Sequence, residues 1–159
     1  MAIAKVKEFM KSHGRENDVL EFDVSSATVD LAAEALGCEP AHIAKTVSLY
    51  DKTGENAVLI VTAGDRKIDN GKFKRLFGFK PHMIAWDDVE RMTGHAPGGV
   101  CPFANPDGVA KYCDISLDRF DYVYPACGSS NSAIRLTPDE LFGLSGAIDR
   151  IDVTKPREE

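Results

Sequence analysis

Lys45 lies inside an apolar run, between Ala44 and Thr46 in Ile43–Tyr50 (IAKTVSLY). An ammonium in that setting either faces solvent from a half-exposed sheet or is held as a cation against a phosphate or a developing negative charge. A second candidate is Gly98-Gly99-Val100-Cys101-Pro102. Two glycines can bring bare backbone N–H groups up to a ligand where a Cβ would block the approach, and Pro102 stiffens the exit. Such a segment is either a long surface turn or an oxyanion hole. The length of structureless chain from Gly94 to Gly108 favours function, because long loops are uncommon in compact domains. A third is Ala126–Ser132 (ACGSSNS), a run of small polar residues that is either a hairpin turn or the polar rim of a pocket.

Other routes to catalysis have no signature. His13, His42, His82 and His95 form no H-x-x-x-H or H-E-x-x-H, and there is no G-x-S-x-G, P-loop or dinucleotide fingerprint. Cys38, Cys101, Cys113 and Cys127 are far apart with no C-x-x-C, which argues against a zinc site or a redox pair. Cys101 lies in the glycine loop and could be a nucleophile. With no histidine evident beside it, the sequence favours a buried or pocket-lining thiol. No cofactor or metal is implied.

The elements that must position these groups follow from periodicity. Ile3, Val6, Phe9 and Met10 share one face of a helix over 2–13, closed by Gly14. A short strand covers Val19 to Phe22. Thr28 caps a helix whose apolar face is Leu31, Ala32, Ala35 and Leu36, and Gly37 stops it. Ile43–Tyr50 and Asn56–Ala63 read as two strands of a hairpin about the turn Asp51–Gly54, the second buried on both faces. Residues 69–77 form a basic amphipathic helix with Phe73, Leu76 and Phe77 inward. Pro81–Ala85 reads as a short strand and Asp87–Met92 as a short helix ending at Gly94. Strands are predicted at Val109–Asp114, Asp121–Ala126 and Ala133–Leu136, with a last one at Ile148–Val153. Between the last two, Thr137-Pro138 opens a helix ending near Gly143. Strands mingled with short helices give an α/β (mixed α+β) class with a mixed sheet.

The 159 residues fit one domain, 1–159. A net charge of −6 excludes a general nucleic-acid coat, which needs a basic surface to displace counterions, so DNA is not an expected partner. Charge is uneven, however. Arg66, Lys72, Lys74 and Arg75 fall in a basic stretch that is the best local candidate for contact with RNA phosphates. No apolar run is long enough to span a membrane, and the amphipathic N-terminus is unlike a signal peptide, so a cytoplasmic location is expected.

Three segments in order, Ala41–Val47 (AHIAKTV), Thr62–Arg66 (TAGDR) and Thr93–Phe103 (TGHAPGGVCPF), resemble the YbaK/prolyl-tRNA-synthetase-associated editing family; Tyr124–Ser129 (YPACGS) extends the likeness. The resemblance covers nearly the whole chain. It implies a single domain with a central, partly barrelled mixed β-sheet flanked by helices. It also implies hydrolysis of the ester joining a wrong amino acid to the 3′ end of tRNA, with an aminoacyl-tRNA synthetase as a further partner. The strand lysine that holds the substrate's 3′ end maps onto Lys45. The loop whose backbone N–H groups position the ester carbonyl maps onto Gly98, Gly99 and Pro102. Phe22, Thr46, Ser129 and Asn131 are expected to line the substrate site. Members that remove cysteine from tRNA(Pro) carry a serine and an aspartate where this chain has Ala126 and Ala133. The editing class is therefore implied and the amino acid left open, with a small side chain expected. An activated ester needs position, a cation and oxyanion donors rather than a strong nucleophile, so the lack of a triad is coherent. A non-catalytic tRNA- or synthetase-binding module and a thiol hydrolase using Cys101 are the alternatives.

Overall fold

The computed structural model describes residues 2–157. Nine strands and five α-helices are interspersed among the described residues. The strands are β1 (Val19–Glu21), β2 (Ile43–Tyr50), β3 (Ala57–Ala63), β4 (Arg66–Ile68), β5 (Ala110–Asp114), β6 (Tyr124–Pro125), β7 (Ser132–Ile134), β8 (Asp149–Ile151) and β9 (Thr154–Pro156). The helices are α1 (Ala2–Ser12), α2 (Val29–Leu36), α3 (Asn70–Phe77), α4 (Trp86–Thr93) and α5 (Pro138–Ser145).

β3 organises the molecule. Its sequence AVLIVTA is buried throughout, as a strand covered on both faces must be. Val58 and Ile60 pack with Leu49, Val153 and Phe73 of α3, whereas Ala57 and Leu59 meet Val89 and Met92 of α4. Val61 and Ala63 join the largest cluster, with Val6 and Met10 of α1, Phe103 and Leu141. The central sheet has the order β6-β2-β3-β5-β8. β2 and β3 form the expected antiparallel hairpin, with Lys45 opposite Thr62, and the other pairings of this sheet are parallel. The mixed sheet flanked by helices agrees with the expectation, but it stays open and does not close into a barrel. Two two-stranded pieces, β1-β7 and β4-β9, stand beside it.

Helix ends follow their residues. Thr28 accepts the Leu31 N–H, and Asp69 accepts that of Lys72. Thr137 and Glu140 form a reciprocal capping box with Pro138 in the first turn of α5.

Several local expectations are corrected. α5 passes Gly143 and stops at Gly146, whose left-handed backbone closes it. Leu31 and Leu76 point outward, because α2 packs through Ala32 and Ala33 and α3 through Phe73 and Phe77. Pro81–Ala85 contributes one isolated bridge, Leu49 to Met83, and Asp121–Ala126 is ladder-paired only at Tyr124–Pro125. The chain after Ile148 splits into β8 and β9, and β4 with its partner β9 had no signal in the sequence. A buried carboxylate ties that last strand down. Asp114 accepts from Ser116 N at 3.0 Å, Val153 N at 2.9 Å and Thr154 Oγ1 at 2.8 Å.

Candidate active site

A cleft of about 370 Å³ opens beside β2, where β6 pairs only with its first residues. Lys45, Thr46 and Ser48 of β2 form one wall, Ser26 to Val29 at the start of α2 a second, and Pro97, Gly98 and Val100 a third. Met83 and Trp86 stand on the α4 side, and Ala126 and Ala133 also line it. Thus Lys45 and Thr46 share one cavity with Gly98, which is distant in sequence.

Lys45 is half-buried, and its Nζ donates to the Arg66 carbonyl. Burial, and then the nearby Arg157 guanidinium, pull its pKa down to about 8; Asp65 opposes the shift. Below that value the group is a cation. Thr46 Oγ1 is buried and, among the described residues, has no hydrogen-bond partner. A buried hydroxyl without a partner is uncommon and sets this part of β2 apart.

The glycine loop is built differently from the expectation that both glycines offer N–H groups. Ala96-Pro97-Gly98-Gly99 is a type II turn: Gly98 has φ +89° and the Gly99 N–H donates to Ala96 O at 3.0 Å. Gly99 is committed to that turn and is buried, while Gly98 is exposed at the cleft. Gly99 is needed for close approach. A Cβ there would lie 2.8 Å from Ser129 Cα and N. Neither Gly98 N–H nor Val100 N–H has an acceptor among the described residues, and both residues line the cleft. Asn105 braces the loop by donating to Thr93 O at 2.8 Å and Cys101 O at 3.0 Å.

Phe22, Pro102, Ser129 and Asn131 do not line the cleft. Pro102 is buried behind the loop. Asn131 Nδ2 donates to Phe22 O at 2.9 Å, Phe22 N–H to Asn131 O at 2.8 Å, and Ser129 Oγ to Ser132 Oγ at 2.8 Å. Their polar groups staple the 128–132 segment to the chain before α2 and shape the wall from behind. The basic run divides likewise. Arg66 donates to Thr154 Oγ1 and Thr154 O, and Lys72 pairs with Asp152 at 2.9 Å and donates to Thr154 O. Both are engaged in holding β9, whereas Lys74 and Arg75 are exposed.

Cys101 does have a histidine beside it, His95, with Sγ 3.4 Å from Nε2. The pair is sealed, both residues being 0 % exposed. The 2.7 Å contact from Nε2 to Phe103 O assigns the ring proton to Nε2, leaving no lone pair there for the thiol. Burial pushes the thiol up to about 12 and depresses the imidazole. This arrangement packs the loop and does not make a nucleophile. Among the described residues no group of three or more His, Cys, Asp or Glu is placed to hold a metal. No helix is long and apolar enough to cross a membrane.

The fold is that of an aminoacyl-tRNA editing domain. The profile of that family matches residues 24–144, and the chain belongs to it. It is 48% identical over 158 residues to the uncharacterized protein YwhH of Bacillus subtilis, covering 99% of this chain and 100% of that one. It is 30% identical over 91 residues to the proline–tRNA ligase of Aquifex aeolicus, covering 57% of this chain and 16% of the ligase. A solved structure assigned as a candidate trans-editing enzyme for prolyl tRNA synthetase superposes with a TM-score of 0.85 at 30% identity, covering 97% of each chain.

Proposed function

We propose that the protein is a hydrolase that acts in trans on mischarged aminoacyl-tRNA, cleaving the ester that joins a small amino acid to the 3′-terminal ribose. The observation that carries this reading is the single cleft shared by Lys45, Thr46 and Gly98 in a member of the editing family. Lys45 supplies a cation for the 3′ end and Thr46 a hydroxyl anchor. Water adds to the carbonyl carbon, its proton passing by way of the neighbouring ribose hydroxyl towards the leaving ribose oxygen. The resulting oxyanion is met by the Gly98 N–H, with the Val100 N–H beside it. Collapse breaks the bond to the ribose oxygen, which takes a proton and leaves free tRNA and amino acid.

The acyl end of the cleft favours a small apolar side chain. Ala32, Ala44, Ala126 and Ala133 of the cleft lining present only methyl groups. At 126 and 133 these replace the serine and aspartate of cysteine-removing relatives, so alanine fits better than cysteine. The similarity to proline–tRNA ligase makes tRNA(Pro) the first tRNA to test and a prolyl-tRNA synthetase the first partner. The deciding experiment offers the purified protein tRNAs charged with alanine, cysteine, serine, threonine and proline. Turnover of Ala-tRNA(Pro), with proline spared, is expected. Tight binding without turnover of any of the five would instead identify a binding module.

A further inference from the structure

Ester hydrolysis has no use for the two large apolar side chains on the α4 side of the cleft. Trp86 is 75 % exposed and Met83 64 %, yet both line the cavity that holds Lys45 and Thr46. The backbone beneath them is pinned. Ala85 N–H donates to the Tyr50 hydroxyl at 3.0 Å, and that hydroxyl donates to Asp88 at 2.9 Å. Ile84 N–H donates to Ser48 O at 3.1 Å. The indole therefore stands on a fixed helix start and not on a loose loop.

We propose that Trp86, flanked by Met83, is the stacking platform for the adenine base of the tRNA's terminal adenosine. The proposal rests on the deacylase reading of the same cleft. Unpaired bases stack on exposed aromatic rings, and a thioether is a favourable neighbour for a ring. Charge selects the base over the phosphate. The first turn of α4 carries Asp87 and Asp88, which repel an anion, whereas the cationic residue of the lining, Lys45, comes from β2. Size is consistent as well, since about 370 Å³ suits a ligand of the bulk of an aminoacyl-adenosine. Trp86 thereby sets the register of the substrate, holding the base so that the ester reaches Gly98.

Trp86 is the only tryptophan in the chain, so its fluorescence reports the contact directly. The trinucleotide CCA and 5′-AMP are expected to quench it saturably in the wild type, with 5′-CMP weaker. In deacylation assays, Trp86→Ala is expected to raise KM roughly tenfold, up to about a hundredfold, with kcat within about twofold, and Trp86→Phe to restore most of the loss. Absence of saturable quenching, or an unchanged KM in Trp86→Ala, overturns the platform while leaving deacylation intact. If no charged tRNA is turned over, the hydrolase reading fails, and the CCA titration still decides whether Trp86 binds a base.

Discussion

Replacing Gly99 by alanine tests whether the glycine loop acts through its position. The new Cβ would sit 2.8 Å from Ser129 Cα and N and 2.9 Å from Gly128 C, where ordinary contact begins at 3.4 Å. The obstruction is backbone and has no rotamer to escape into, so the two loops must part by about 0.6 Å, the difference between 3.4 and 2.8 Å. Overpacking of this kind costs about 1–3 kcal/mol, which lowers Tm by roughly 3–10 °C in a chain of this length. The Gly99 N–H already serves the Ala96 carbonyl, and alanine keeps it. Any loss of rate therefore comes from the displacement of Gly98 and not from a deleted donor. A 1 Å error in a reacting geometry costs about a hundredfold, so a shift of this size is expected to lower kcat/KM by about tenfold. Single-turnover deacylation of Ala-tRNA(Pro), paired with a calorimetric melt, reads both effects. A variant that melts within about 1 °C of wild type and keeps kcat/KM within about twofold would refute the close packing of residues 99 and 129 as the basis of loop position.

Lys45 is charged below about 8 and loses its charge as pH rises through that value, so enzymatic deacylation, corrected for spontaneous hydrolysis, is expected to fall on the alkaline side. Lys45→Arg, charged throughout, should remove that limb whatever its absolute rate; an alkaline fall of equal midpoint in the variant would assign it to another group. Cys101→Ala should keep kcat within about threefold while losing about 1–2 kcal/mol of stability, because the thiol is sealed in the core. A trapped acyl-thioester on the wild type would contradict this. Lys74→Glu with Arg75→Glu should weaken tRNA binding and flatten its salt dependence by about one unit of slope per residue, with only a small fall in Tm from losing two cations in the last turn of α3. Lys72→Glu should lower Tm as well, because Lys72 holds Asp152 and Thr154; a salt slope unchanged by the first pair would remove the patch from the RNA path.

The hairpin, the helix caps and the grouping of Lys45 with the glycine loop were legible because each rests on local pattern or on a resemblance carried by contiguous motifs. The type II turn was legible too, since proline followed by glycine fits its two central positions. Reading the two glycines as equivalent overlooked that signal. What stayed hidden depends on distant chain. β4 is a short charged triplet whose strand character comes from β9, some 88 residues away at Arg66 and Thr154. His95 reaches Cys101 only through the fold of the loop between them. Ser129 and Asn131 had the right chemistry for a pocket rim, but Phe22 and Ser132 claim it. Trp86 and Met83 carried no motif, and only their exposure beside a cavity sets them apart.

The composition of β3 has a consequence for the growing chain. A seven-residue strand without charge or proline is a template for pairing between molecules whenever its edges are bare. β2 precedes it and covers one edge at once through a short turn that carries Asp51, Lys52 and Glu55, charges that discourage intermolecular stacking. The other edge waits for β5, which begins 47 residues after β3 ends (110 − 63). Everything between, including the glycine loop, must be synthesised and folded back first. A substitution that delays the docking of β5 therefore shows first as insoluble protein, before any change in turnover by the molecules that do fold.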